Sequence, residues 1–200
     1  MIPKLLHQIW LGPREIPQHF VDWRNNFYKL HPDWDYRLWT DADVETLPNE
    51  VKSIVNSLTC FASKSNIVRL YAVWRYGGVY ADMDIDWVRN INPFLIYNAF
   101  NAKDPSGLTC NAFFGAIEKH PWLHYQYEKI DGHIGHDANF GVNLMHETNV
   151  FCPHDCVILP SQWVYPYMWT QPYIPSINFQ DSFVVHHWAM SWNGGTKPYS

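Results

Sequence analysis

Between Phe61 and Asp86 the hydrophobic period of the sequence changes in a single step. From Phe61 to Tyr76, Ile67, Leu70, Tyr71 and Trp74 recur at helical spacing, and Gly77-Gly78 supplies the stop. Val79-Tyr80-Ala81-Asp82-Met83-Asp84-Ile85-Asp86 then alternates apolar and polar residues with the period of a strand. A helix joined to a strand by two glycines sends the chain back along itself, which restricts it to helices layered on a sheet.

The residues before this unit agree. Ile2 to Gly12 is mostly apolar and ends in Gly-Pro, as a buried strand followed by a loop would. Val21 to Leu30 reads as a short amphipathic helix stopped before His31-Pro32, and Trp34 to Trp39 alternates like a second strand. Thr40-Asp41-Ala42-Asp43 offers capping oxygens for another helix. Strand, helix, strand, helix is the opening of an α/β sandwich with a mostly parallel central sheet. After Asp86 the chain is rich in Pro, Asn and aromatic residues, with a short strand expected at Asn111 to Gly115 and another at Phe183-Val184-Val185. No repeat, low-complexity tract or linker divides it, so residues 1–200 are expected to form one domain.

Composition narrows the function classes. Apolar residues make up 47% and charged ones 16%, which excludes a disordered chain. Eleven Trp, twelve Tyr and eleven Phe suit rings that stack on bases or on the apolar faces of sugars as well as they suit a core. A net charge of −5 with scattered Lys and Arg argues against a nucleic-acid partner. No run of about 18 apolar residues occurs, and Pro3, Lys4 and His7 stand where a signal peptide would be apolar. The expectation is a soluble, cytoplasmic chain, with peripheral attachment to a membrane surface left open. Four cysteines are too few and irregular for a disulfide scaffold. Cys152, His154 and Cys156 lack the second ligand pair of a zinc site and read as an ordinary loop.

The period-two reading puts Asp82, Asp84 and Asp86 on one side of a strand, where like charges repel. A bound cation removes that conflict, and carboxylate oxygens suit Mg2+, Mn2+ or Ca2+ while leaving positions for phosphate oxygens. The alternative is a solvated edge or turn with exposed carboxylates. Eight helical residues from Gly77 back to Arg69 span about 12 Å, and Gly78 forward to Asp82 about 13 Å, so Arg69 and the carboxylates lie level. Asn66 sits one turn earlier on the same face. Arg69 can serve a ligand, or can simply neutralise the aspartates as an ion-pair partner.

The run from Ser63 to Asp84, with Asn66-Ile67-Val68-Arg69 and Gly77-Gly78-Val79-Tyr80-Ala81-Asp82-Met83-Asp84 at its centre, resembles the DXD region of glycosyltransferase family 32. More remotely it is similar to the glucosylating domain of large clostridial toxins. Ile2 to Gly12 and Tyr36 to Trp39 resemble that family's first two strands, and His186 to Trp192 its closing Ser-Trp segment. The resemblance implies a GT-A fold and a retaining hexosyltransferase fed by a UDP- or GDP-linked sugar, with a glycan or lipid-linked saccharide as acceptor. It implies that Asp82, Asp84 and His186 bind Mn2+ or Mg2+, with Asp82, Asp84 and Arg69 serving catalysis. Trp10 would stack on the base, and Ser65, Asn66, Arg69, Tyr80, Ser191 and Trp192 would line the donor site. Residues 1–95 would then be the half that holds nucleotide-sugar and metal, and 96–200 the acceptor side and closing segment. Two positions depart from the family: many relatives have Asp in place of Asn66, and Gly141-Val142 stands for a Gly-Pro element. Trp10 and His186 are also both ordinary core residues in the absence of a ligand. A nucleotide-sugar hydrolase and a non-catalytic carbohydrate-binding protein remain the rival functions.

Overall fold

A computed structural model describes residues 1–133, 140–151 and 155–189. Its helices are α1 (Gln18–Leu30), α2 (Asp41–Glu45), α3 (Asn49–Ser57), α4 (Phe61–Tyr76), α5 (Pro121–His133) and α6 (Phe140–Phe151). Its strands are β1 (Leu5–Ile9), β2 (Asp35–Trp39), β3 (Gly78–Ala81), β4 (Ile85–Trp87), β5 (Ala99–Lys103), β6 (Thr109–Ala116), β7 (Cys156–Leu159) and β8 (Val184–His186). Six strands form the central sheet in the order β2-β1-β3-β6-β5-β7, and β4 and β8 make a separate two-stranded sheet. The β1/β2, β1/β3 and β5/β7 pairings are parallel, whereas β6 runs antiparallel to both β3 and β5. The expected α/β sandwich with a mostly parallel sheet is therefore what forms.

Alternation along the strands divides the core into two layers. Tyr80 and Phe114 join Ile67, Val73, Trp122 and Leu144 on the face covered by α3, α4, α5 and α6. Their neighbours Val79, Ala81 and Phe113 turn to the other face and meet Phe27, Trp34, Trp87 and Phe94. Side chains as large as Tyr80, Phe114 and Trp122 are fully buried here, each worth roughly 1.5–3 kcal/mol of transfer free energy. At the turn between α4 and β3, Gly78 has φ 100° and a Cβ there would stand 2.4 Å from the Leu5 carbonyl oxygen. Only glycine lets β3 lie flush on β1. A helix does start after Thr40, where capping oxygens were expected, and Asp43 Oδ2 accepts the Thr40 N–H at 2.9 Å.

One expected element is corrected. The strand read as continuous to Asp86 is two strands, interrupted at Asp82-Met83-Asp84 by a turn in which Ile85 N–H donates to the Asp82 carbonyl at 3.2 Å. Asp is a poor strand former, and adjacent carboxylates on one face repel, so the chain leaves the central sheet there. It continues as β4, paired with β8 and covered by α1 through the contact of Phe27 with Trp87 at 4.8 Å. Asp86 is thereby parted from the other two carboxylates. Its Oδ1 accepts the Trp87 N–H at 2.8 Å and the Asn26 amide at 3.0 Å.

Candidate metal centre and donor cleft

Asp82 follows the last residue of β3, Asp84 precedes the first residue of β4, and His186 ends β8. The β4/β8 ladder sets Ile85 opposite His186, and this pairing carries the imidazole to the carboxylates from about a hundred residues away in sequence. Ligand atoms of Asp82, Asp84 and His186 all lie within 4.8 Å of one another. His186 Nε2 is 3.2 Å from Asp84 Oδ1 and 3.8 Å from Asp82 Oδ2. The group is closed on the His186 side and opens to solvent at Asp82, whose side chain is 26% exposed.

The charges explain why these groups tolerate one another. Burial favours neutral imidazole, but the charge and hydrogen bond of Asp84 and the charge of Asp82 outweigh it, and the His186 pKa is raised. Burial likewise opposes the Asp84 carboxylate, yet the His186 charge and hydrogen bond, the Ala189 N–H and the His187 charge hold its pKa at about 2. Asp82 is pushed up by burial and by the Asp84 charge, against the pull of Arg69. Two carboxylates and an imidazole converging on one point are also the hard oxygen and borderline nitrogen donors that Mn2+ and Mg2+ take. The residues fit such an ion.

Around this centre each remaining carboxylate oxygen is tied down. Asp82 Oδ1 accepts the Tyr80 hydroxyl at 2.5 Å and pairs with Arg69 Nη1 at 3.1 Å, leaving Oδ2 to face His186. Asp84 Oδ2 accepts the Ala189 N–H at 2.7 Å, and the Asp84 carbonyl accepts the His187 N–H at 3.0 Å. Trp188 adopts a left-handed φ of 55°, and that turn brings His187 and Ala189 to the same carboxylate residue. Gln8, buried on the neighbouring strand β1, donates its side-chain amide to the Asp82 carbonyl at 3.2 Å.

Arg69 and Asn66 project from the same face of α4, as their spacing requires, and Arg69 does lie level with Asp82. Nη1 of Arg69 also donates to the Asn111 carbonyl at 2.8 Å, Nε donates to the Ser65 carbonyl at 3.3 Å, and the guanidinium lies 4.5 Å from the Tyr80 ring. Asn66 Oδ1 accepts the Asn111 side-chain amide at 2.8 Å. Asn111, on β6, was not among the expected site residues. Its signal is a primary amide in the otherwise apolar run Cys110-Asn111-Ala112-Phe113-Phe114. Tyr80, expected to line the donor site, is fully buried with its hydroxyl on Asp82. Ser65 is half-buried. Trp10 is half-buried too, its indole N–H donating to the Arg14 carbonyl at 2.6 Å, and it packs on the cluster of Phe20, Trp23, Met83 and Ala189. It thus stands beside the middle residue of Asp82-Met83-Asp84. Ser191 and Trp192, and the loop residues Cys152 and His154, lie outside the described residues.

Comparison with known proteins bears on this site. Residues 17–101 match the family model described as a glycosyltransferase sugar-binding region containing a DXD motif. Inositol phosphoceramide mannosyltransferase 3 of Schizosaccharomyces pombe is 32% identical over 127 residues, covering 61% of this chain and 35% of that protein. Mannosyl phosphorylinositol ceramide synthase SUR1 of Saccharomyces cerevisiae is 32% identical over 128 residues, covering 62% and 33%. The chain spans about a third of the length of these two relatives. Among solved structures, a glycosyltransferase involved in glycosylation of the major capsid of PBCV-1 superposes with a TM-score of 0.58 at 9% identity, covering 92% of this chain and 94% of that one. The PaToxG glycosyltransferase gives 0.56 at 16% identity, covering 76% and 70%. These solved structures are GT-A glycosyltransferases, and the chain shares their fold.

Proposed function

We propose, from the match of residues 17–101 to the DXD-containing sugar-binding region of glycosyltransferases and from the GT-A fold, that the chain is a metal-dependent, retaining glycosyltransferase. It moves a hexose from a UDP- or GDP-linked donor to a hydroxyl of a glycan or lipid-linked saccharide. The observation that carries this reading is the convergence of Asp82, Asp84 and His186 beside the buried Arg69.

When bound between those three side chains, a divalent cation would neutralise the donor diphosphate and the charge that gathers on it as it departs. Arg69 acts on the same charge. Its Nη1 and Nε are committed to protein oxygens, and the Nη2 N–H groups have no partner among the described residues, which leaves them for a phosphate oxygen. Tyr80 and Arg69 hold Asp82, and Ala189 holds Asp84, so the carboxylates are in place before the donor arrives. In a front-face reaction the anomeric C–O bond breaks with its electron pair going to the diphosphate. The acceptor oxygen bonds to the same face of the sugar, and its proton passes to the departing phosphate oxygen. Asp82 and Asp84, both committed to the metal centre, need not act as the base.

The curated relatives are named as mannosyltransferases of inositol phosphoceramide, which makes mannose the first donor sugar to test and a lipid-linked head group the first acceptor. No described helix is long and apolar enough to cross a membrane; a lipid-linked acceptor of the kind those relatives' names indicate would be met at a membrane surface. Within one domain, residues 1–95 supply most of the donor side, and 96–200 the acceptor side together with the closing segment whose His186 completes the metal centre. The test is turnover of UDP- and GDP-linked hexoses with Mn2+ or EDTA, with and without acceptor. Asp84→Ala should abolish Mn2+-dependent transfer. Full activity in that variant would overturn the metal role, and sugar release that ignores the acceptor would make the protein a hydrolase.

A further inference from the structure

We propose that Gly141 is a positioning residue of the donor cleft, an inference that rests on the glycosyltransferase reading above. Gly141 lies in the first turn of α6, where nothing in the chain's local conformation demands glycine. What demands it is the packing. A Cβ at this position would stand 2.4 Å from the Asn66 side-chain carbon Cγ, 2.6 Å from Asn66 Nδ2 and 2.4 Å from Asn111 Nδ2.

Those atoms have little room to give. Asn66 and Asn111 are both buried and joined by the 2.8 Å bond between their side chains. The Asn111 carbonyl in turn holds Arg69 Nη1, which pairs with Asp82 Oδ1. The bare backbone of α6 therefore rests on one end of a connected series, Asn66 to Asn111 to Arg69 to Asp82, whose other end is a metal ligand. Three elements remote in sequence, α4, β6 and α6, are locked in register at the point where the guanidinium must be aimed. A methyl group at position 141 pushes that series out of line, although helix propensity alone would favour alanine over glycine there.

The test compares the full chain with Gly141→Ala, Asn111→Ala and the double variant, measuring UDP and GDP affinity in saturating Mn2+ by calorimetry alongside thermal melting. Gly141→Ala should keep its cooperative melt but bind the nucleotide about tenfold more weakly, a loss of about 1.4 kcal/mol. Asn111→Ala should weaken binding as well, because it removes the amide that Asn66 Oδ1 accepts. With the Asn111 side chain gone, one of the two groups a Cβ at position 141 would meet is absent and Asn66 has that space to move into, so adding Gly141→Ala to that variant should cost less than a further twofold. If Gly141→Ala does not fold, the single Asn111→Ala variant still decides: undiminished nucleotide affinity there means the series does not aim the site. Wild-type protein that binds nucleotide no more tightly than Gly141→Ala overturns this inference alone. Wild-type protein that binds neither nucleotide overturns the donor-site reading and this inference with it.

Discussion

His7 lies fully buried in β1 between two partners that fix its tautomer. The Trp39 indole N–H donates to Nδ1 at 3.1 Å, so the proton sits on Nε2 and is given to the Gly77 carbonyl at 2.9 Å. Burial lowers its pKa from 6.5 to about 4, with the Arg37 charge adding to the effect and the Gly77 bond opposing it. The unfolded chain therefore takes up a proton before the folded one does. The stability this site allows is fully present above pH 6.5 and is lost as pH falls towards 4, by about 3 kcal/mol over that interval. Urea unfolding at pH 7.5 and 4.5 should show the loss, and His7→Gln should flatten it; parallel loss in both proteins would assign the slope to other groups. A second residue-scale prediction concerns Tyr80. Tyr80→Phe removes the hydroxyl that holds Asp82 Oδ1 and should cost about 1 kcal/mol in stability while weakening Mn2+ binding several-fold. Unchanged Mn2+ affinity would show that Arg69 alone is enough to orient Asp82. Single residues were read from sequence with uneven success. Asp82 and Arg69 stand level as spacing placed them, because helix and strand rises are fixed lengths, and Asp84 stays beside Asp82 through a turn rather than through the strand period. Asp86 does not join them, because period-two geometry assumes the strand continues and the charges themselves end it.

Among the elements, the turn from α4 into β3 has the least tolerance. Gly78→Ala would force a side chain into a left-handed φ of 100° and onto the Leu5 carbonyl oxygen. The central pairing of β1 with β3 would have to open, at a cost of several kcal/mol. A melting temperature lowered by less than a few degrees would refute that. The same helix, turn and strand were the most legible part of the sequence, since every signal in them is local. By contrast, β5, β7, α5 and α6 were not foreseen. Their residues bury themselves through contacts distant in sequence, such as the parallel pairing of Ala99 with Cys156, and carry no strong period of their own.

For the molecule as a whole, the proposed metal centre joins the end of β3 in the central sheet to the small β4/β8 sheet, so a cation held there would tie the two together. Mn2+ at a hundred times its dissociation constant should therefore stabilise the fold by about 2.7 kcal/mol, and EDTA should remove the effect. Asp82→Asn with Asp84→Asn should melt at one temperature with or without Mn2+; a metal-dependent shift that persists would place the ion elsewhere. The fold class was evident from the order of strands and helices, but the completed centre was legible only through the family resemblance, which named His186 beside Asp82 and Asp84. His186 joins it only through the pairing of β4 with β8, a register that no local pattern announces.

That pairing sets an order of events during synthesis. The Asp84 carboxylate leaves the ribosome long before its partner Ala189, which is 105 residues further on. Until β8 emerges, the nascent chain carries two neighbouring negative charges with neither the imidazole nor the backbone N–H groups that reconcile them. On the proposed reading, a metal ion could gain all three ligands only after translation has passed His186, and a chain abandoned earlier would hold the DXD sequence without the means to close its coordination shell.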